Sequence, residues 1–478
     1  MKTEDIEDIY TLSSTQQGML FHILIEPESG MYLEQTLCTL EGKFNVSAFS
    51  KAWQQIVERH PSLRTGFVYK NLEKPVQVVY RRVKLAIEQY DWRKLPKTEQ
   101  DKQLNAFVEA DRKRGFEISE PPLMRLTLIH IGEDIYQLIW SAYHLILDGW
   151  CIDILLKEFF TLYEAFRQGH NFQLQPCYPY RNYITWLKQQ DISAAEVFWR
   201  QTLSSFKTPS LIGGNGNNDF TKERSYDQQK IQLSASTTAA LKSLAKQHHL
   251  TLNTLFIGAW ALLLSHYSKK KNVLFGTVMS GRPVTLPGVE SMVGLFVNTL
   301  PTRVQITSQD VLVTWLKNLQ SQYNQLHQYE YTPLVKIQNW SEVSGELPLF
   351  ESLLACQNSL VDISQLQTED LKLNNVCFFS RSNYPLNFVL LLGSELGIVS
   401  YYDLRFFTIK GITIILNQFQ AVFDAMTANQ DTYITDLLNL VDDIEYKSKA
   451  MELELIKKSN INKLKTIQPK AIKIFNET

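Results

Sequence analysis

A chain of 478 residues, 44 % hydrophobic and 20 % charged, has the make-up of a soluble globular protein long enough to bury two or three cores. Its 48 basic and 49 acidic residues leave a net charge of −1, which excludes the broad basic field of a nucleic-acid or anionic-membrane binder. The five cysteines (Cys38, Cys151, Cys177, Cys356, Cys377) lie far apart without a CxxC spacing, which argues for reduced thiols in a cytoplasmic protein. The opening MKTEDIEDIY is acidic and lacks the basic-then-apolar order of a signal peptide.

In chain order, VSAFSKAWQQIVERH predicts a helix with Phe49, Trp53, Ile56 and Val57 on one face and Ser47 as its cap. PLMRLTLIHIGEDIYQLIWSAYHLIL predicts two apolar strands about a turn at Gly132-Glu133-Asp134. After Gly149, residues Ile152, Leu155, Leu156, Phe159, Phe160, Tyr163 and Phe166 recur at helical spacing. His144 therefore falls near a strand end, with Asp148 and Gly149 at a helix entry. GGNGNND at 213–219 is the clearest breaker, a linker or a long surface loop.

Beyond it the pattern predicts a helix in TLNTLFIGAWALLLSHY, too short to span a bilayer, then a strand in NVLFGTVMSG. A helix follows in DVLVTWLKNLQSQYNQL, then strands in FESLLACQ, NFVLLLG and LGIVSYYD. The last helix carries a stripe of Ile412, Ile415, Leu416, Phe419, Val422, Phe423 and Met426. From about Lys447 the chain becomes Lys-rich and loses apolar density, which reads as exposed linker or a poorly ordered end.

The chemistry turns on SAYHLILDGWC, residues 141–151. By itself HxxxDG reads in two ways: a buried imidazole bonded to a carbonyl beside an N-capping Asp148, or a base placed at a helix entry. A third metal ligand at suitable spacing, a phosphate loop, a GxSxG elbow and a Cys/His nucleophile signature are all missing from the sequence. What separates the readings is agreement among distant stretches. These are LSSTQQGMLFH (12–22), ERHPSLRTGF (58–67), the HxxxDG segment, YRNYITW (180–186), VGLFVNTLPTR (293–303), QYEYTPL (328–334) and SRSNYPL (380–386).

In this order and at these separations they resemble the core motifs of the condensation domains of nonribosomal peptide synthetases, from about residue 7 to about residue 445. The resemblance implies an α/β (α+β) fold of two chloramphenicol-acetyltransferase-like lobes, residues 1–175 and 176–445, with 446–478 a Lys-rich tail or linker. The lobes would form a V-shaped pseudo-dimer with an active-site tunnel between them, and the Gly/Asn stretch would be a loop of the second lobe. The implied reaction is amide formation: an acceptor aminoacyl amine attacks a donor acyl or peptidyl thioester. No cofactor belongs to such a chain itself; 4'-phosphopantetheine arrives on the donor and acceptor carrier proteins. They and neighbouring synthetase modules are the implied partners, of a monomer that binds neither nucleic acid nor membrane.

On that resemblance His144, matching the second histidine of HHxxxDG, would orient the amine and accept its proton, as general base or as hydrogen-bond positioner. Gly149 would lend a backbone N–H to the oxyanion. Asp148 would be architectural, paired with an arginine for which Arg282 of SGRP is the candidate. Trp150 would sit beside the site, and Asn298 of FVNT would line it or stabilise a turn. Arg59 and Arg64 fall to an ion-pair framework, Tyr180 and Trp186 to a core, Asn383 and Pro385 to a loop.

The chain departs from the family at Tyr143, where the first motif histidine is expected. Successive strand residues face opposite ways, so Tyr143 would face the scaffold, where a phenol can donate one hydrogen bond. Asn182 stands where Asp is usual and Pro61 where Glu is common. QQGMLFH, LFVNTLP and NYPL are closer to the subtype whose donor ends in a D-residue. Three other activities share the frame: an epimerase, a non-catalytic docking module, and a coenzyme A-dependent acyltransferase. VGLFVNTLPTR argues against the first, and the second and fifth motifs against the last.

Overall fold

The computed structural model describes residues 3–212, 225–358 and 370–466; the Gly/Asn stretch at 213–219 lies outside them. The first part of the chain forms β1 (Ile6–Thr11), α1 (Ser14–Ile25), β2 (Leu33–Gly42), α2 (Val46–Arg59), β3 (Thr65–Val68), β4 (Val76–Tyr80) and β5 (Ile87–Asp91). It continues with α3 (Lys97–Arg114), β6 (Met124–Gly132), β7 (Ile135–Tyr143) and α4 (Gly149–Arg167). Then come α5 (Arg181–Lys188), α6 (Ile192–Thr202), β8 (Tyr226–Gln232), α7 (Ala235–His248), α8 (Leu252–Ser268), β9 (Asn272–Met279), β10 (Asn298–Gln305) and α9 (Leu312–His327). The last elements are α10 (Leu334–Trp340), β11 (Ser352–Asn358), β12 (Leu371–Phe379), β13 (Leu386–Leu392), β14 (Gly397–Asp403), α11 (Ile409–Ala428) and α12 (Ile434–Thr466).

The strands build two open mixed sheets, ordered β12-β2-β7-β6-β5 and β10-β9-β11-β13-β14-β8, and a small sheet β1-β4-β3. In the first sheet the side-chain period of two sorts the residues cleanly. Cys38, Leu40, Leu138 and Trp140 face α2 and α4, where Trp53 lies 5.0 Å from Trp140 and 5.4 Å from Phe159 between ring centroids. Leu37, Ile129 and Ile139 face the other way, against Val108 of α3. The second sheet packs on α8, a helix buried along almost its whole length, which is why its sequence is apolar on every side. No single helix among the described residues is long and apolar enough to cross a membrane.

Strand β12 leaves the second half and pairs antiparallel with β2 of the first, Phe379 opposite Gln35. Val293 and Leu295 likewise enter the core of the first half. A separate junction cluster joins Tyr10, Val79, Tyr180, Tyr183, Ile184, Val289, Met292 and Phe296. The two halves are therefore tied by a strand that crosses from one to the other and by shared cores.

Two local expectations change. The cap of α2 is Asn45, whose Oδ1 accepts the Ala48 N–H at 3.0 Å; Ser47 is already inside the helix, because the carboxamide two residues earlier reaches the free donors first. The segment after Lys447 continues α12 to Thr466 instead of forming an extended linker. The residues around it, MELELIKK, are good helix formers, and Lys449 bonds Glu445 at 2.6 Å one turn back. His266 of α8, held between Asp442 and Glu445 at 2.6 Å each, pins the start of that helix to the core.

Helices α2 and α4, which frame the HxxxDG turn, are locked at their sides by a half-buried ionic cluster. Glu158 accepts from Arg59 at 2.9 Å and from the His60 imidazole at 2.7 Å. Burial opposes the charged imidazole, but hydrogen bonds to Cys177 and Glu158 outweigh it and raise His60 above its ordinary value. Burial pushes the Glu158 carboxyl up, and His60 and Arg59 more than reverse this, leaving it low. A raised histidine stabilises the fold fully below its unfolded pKa of about 6.5 and loses that contribution as pH climbs through the folded pKa. We expect His60→Gln to lower the urea midpoint most between about pH 5 and 6.5, with the gap to wild type closing as the pH is raised further.

Candidate active site

His144 follows β7 directly, and its backbone N–H pairs with O of Tyr32, the residue before β2, at 2.8 Å, so the end of the sheet ladder fixes where the side chain leaves the chain. Nδ1 lies 2.7 Å from Leu147 O. A carbonyl oxygen only accepts, so Nδ1 carries the proton, and the neutral ring has its lone pair on Nε2. The ring keeps part of its surface open, while its neighbours Tyr143 and Leu145 are buried. The bonded-to-a-carbonyl reading and the placed-base reading are thus both true of one imidazole: the carbonyl holds one nitrogen and leaves the other free.

Asp148 is 1 % exposed and caps α4, its Oδ1 accepting the Cys151 N–H at 3.2 Å. The same oxygen takes Arg282 Nη2 at 3.2 Å, and Oδ2 takes the Phe296 N–H at 3.0 Å. The carboxylate therefore joins the helix entry to two points of the 282–296 segment. Arg282 is itself held by Val289 O at 2.6 Å and Met292 O at 2.9 Å through Nη1, with its guanidinium 4.0 Å from the Phe296 ring centre. Gly281 has φ +63°, and a side chain there would run into Phe296 O, so only glycine lets the strand end turn close enough for Arg282 to reach Asp148.

Gly149 is the first residue of α4 and exposed, so its N–H has no acceptor within the helix. Gln357 of β11 faces it, with Nε2 3.8 Å from where a Cβ would stand. Trp150 is half-buried and donates Nε1–H to Glu290 O at 3.0 Å. Tyr143 is buried on the opposite side from His144, its ring 5.4 Å from Phe116 and its hydroxyl against Gly115. Burial raises its phenol.

Asn298 opens β10 but is turned to the scaffold. Its Nδ2 donates to Glu330 O and Thr332 O, both at 2.8 Å, and its Oδ1 accepts from Thr15 of α1 at 3.2 Å. Arg64 pairs with Glu7 at 2.6 Å and Arg59 with Glu158, away from the HxxxDG turn. Asn383 accepts from the Tyr32 hydroxyl, tying the SRSNYPL loop to the segment that leads into β2. The structure thus groups His144, Asp148, Gly149, Trp150 and Arg282, and sets Asn298 apart as a clamp between α1 and the loop after α9.

Three neighbours went unassigned in the sequence. Gln357 of β11 carries no motif of its own, and Ser380, which follows β12, opens the SRSNYPL stretch without having been given a role there. Glu34 had a legible signal: an acid on the β2 face that also holds Cys38 and Leu40. Glu34 accepts from Ser380 Oγ at 2.7 Å. Among the described residues, no group of three or more His, Cys, Asp or Glu is placed to hold a metal ion.

Two open mixed sheets, one of them completed by β12 from the second half of the chain, with a half-buried imidazole at the end of β7, are the framework of an acyltransferase-type enzyme with the chloramphenicol-acetyltransferase-like fold. The condensation-domain family model matches residues 6–448, and the chain belongs to that family, the condensation domains of nonribosomal peptide synthetases. It is 39 % identical over 453 residues to one of the linear gramicidin synthase proteins of Brevibacillus parabrevis, covering 94 % of this chain and 6 % of that one. It is 41 % identical over 433 residues to another protein of the same synthase, covering 90 % of this chain and 8 % of the relative. The chain thus spans less than a tenth of the length of these relatives. The condensation domain of the monacolin K polyketide synthase MokA superposes with a TM-score of 0.75 at 14 % identity, covering 90 % of this chain and all of that one.

Removing one partner from a buried ionic web leaves the others uncompensated. We expect Asp148→Ala to lose about 3–5 kcal/mol of stability in urea unfolding, with a larger loss than Arg59→Ala at the more open ion pair.

Proposed function

We propose that this chain joins an acceptor aminoacyl amine to a donor acyl or peptidyl thioester, each presented on the phosphopantetheine arm of a carrier protein. The observation that carries the reading is the Nδ1–H···O=C bond of His144 to Leu147, which leaves Nε2 free as a base on a half-buried ring. The lobes 1–175 and 176–445 enclose the tunnel through which the two arms meet. Both acyl groups arrive tethered, so holding them face to face supplies much of the acceleration. His144 Nε2 takes a proton from the nitrogen as it attacks the thioester carbonyl, and the Gly149 N–H donates to the oxygen that becomes negative. Asp148 and Arg282 hold the helix entry rigid so that base and donor keep their spacing.

The position of Tyr143 supports a working catalyst. The residue that replaces the first motif histidine is buried against Phe116, on the far side of the strand from His144, so the change falls on scaffold. The chain acts as a monomer in the cytoplasm, with donor and acceptor carriers and neighbouring modules as its partners.

Incubation with one donor-loaded and one acceptor-loaded carrier, followed by intact mass of both, tests this reading. The acceptor carrier is expected to gain the donor acyl group, and His144→Ala to slow this by about 10²–10⁴-fold while keeping the wild-type melting temperature. Comparison of donors ending in L- and D-residues reads the stereochemical preference. Binding of both carriers without transfer, inversion of a single aminoacyl carrier, or turnover with free acyl-coenzyme A alone would each replace the reading.

A further inference from the structure

The register of the first sheet places a second acid–base group beside His144. Leu33 pairs with Tyr143 and Glu34 with Ala142, and the His144 N–H to Tyr32 O bond continues that ladder. Glu34 and His144 therefore lie on the same face of adjacent strands, one diagonal step apart, a separation of about 7–8 Å between backbones that their side chains can close. Ser380, just beyond β12, completes the row with its 2.7 Å hydrogen bond to Glu34. Both Glu34 and His144 are partly exposed, although Leu33, Gln35, Ala142 and Tyr143 around them are buried. The groups facing Glu34 are His144 from the turn after β7, the Ser380 hydroxyl, and Tyr401 of β14, which itself faces Cys377. The nearby Arg381 spends Nη1 on Ser29 O. Among the described residues no Lys or Arg pairs with the Glu34 carboxylate, an arrangement that costs stability until a cation arrives.

We propose that Glu34 takes the first proton from the acceptor's ammonium group, leaving His144 to take the second as the nitrogen attacks. The inference rests on the condensation reading. An α-amino group has a pKa near 8, so at neutral pH the acceptor arrives mostly as R–NH₃⁺, which has no lone pair. Amide formation removes two of its protons. The first passes to Glu34 and on to water. The neutral amine then forms the C–N bond, His144 Nε2 takes the second proton, and the C–S bond breaks. That proton ends on the departing sulfur, so that ammonium plus thioester gives amide, thiol and one released H⁺. An imidazole with one free nitrogen holds one of these protons at a time, which is why a second acceptor beside it is useful. Burial raises the Glu34 carboxyl above its ordinary value, against the opposing pull of His144 and Ser380, and so brings it nearer the amine it deprotonates.

Glu34→Gln tests this, because the amide oxygen still accepts from Ser380 while the charge is gone. With an aminoacyl carrier as acceptor, we expect about 100-fold slower condensation near pH 7, the deficit shrinking as pH rises past the amine's pKa of about 8. An acceptor with an alkoxyamine nitrogen, neutral throughout this range, is expected to react at nearly the wild-type rate in the same variant. Since both acceptors report on one protein preparation, misfolding would slow both alike. A deficit of equal size at every pH and with both acceptors, or no deficit at all, would overturn the proposal. The control is His144→Ala, expected to be slow with both acceptors at every pH. Should that variant keep full activity while Glu34→Gln shows the pH-dependent deficit, the role of His144 falls and that of Glu34 stands.

Discussion

The carboxylate of Asp148 is the point on which the rest of the site depends. It terminates α4, it neutralises a guanidinium from the other half of the chain, and it fixes the backbone at Phe296. Each of those bonds would be modest in water. Inside a dry junction they are strong, and the cost of leaving any one of them unmade is higher still. Because helix entry, Arg282 and Phe296 share one anion, the turn that carries His144 is held at the seam between the halves. A site that must receive two tethered substrates gains most from such rigidity, since proximity helps only when the base and the oxyanion donor stay where the reacting atoms meet.

The seam is reinforced from the other side by β12. A strand from the second half, laid along β2, carries Ser380 to Glu34 and anchors the loop whose Asn383 accepts from Tyr32. The row from His144 through Glu34 to Ser380 is thus written across three strands from different regions of the chain. Aromatic side chains fill the remaining space: Tyr183 lies 4.6 Å from Phe296, which in turn stacks on Arg282. Charge at the centre with rings around it keeps water from competing with the ionic bonds.

Much of this was legible in one dimension. The strands about Gly132, the helix after Gly149, and the stripe ending at Met426 all formed where periodicity placed them, because a half-buried strand or helix must repeat its apolar residues with the period of its own backbone. Seven short stretches in fixed order were enough to reach the family. The errors were local. Capping of α2 went to Asn45 in place of Ser47, a choice between two good caps that turns on where the chain changes direction. The Lys-rich segment joined α12, because ion pairs one turn apart and helix-forming residues outweighed the lack of an apolar face.

By itself the sequence marked the strongly periodic elements, the family and a candidate histidine, all of which depend on residues near one another in the chain or on their order. Tertiary structure alone decided which nitrogen of His144 is free, since the neighbouring carbonyl is aimed by the turn. It alone decided that Asn298 clamps α1 and that Glu34 stands on the face of His144, while the pairing of Arg282 with Asp148 across 134 residues had been expected from the motif resemblance. Hydrogen bonds act over about 3 Å, and only the folded path of the backbone brings such distant groups within that range.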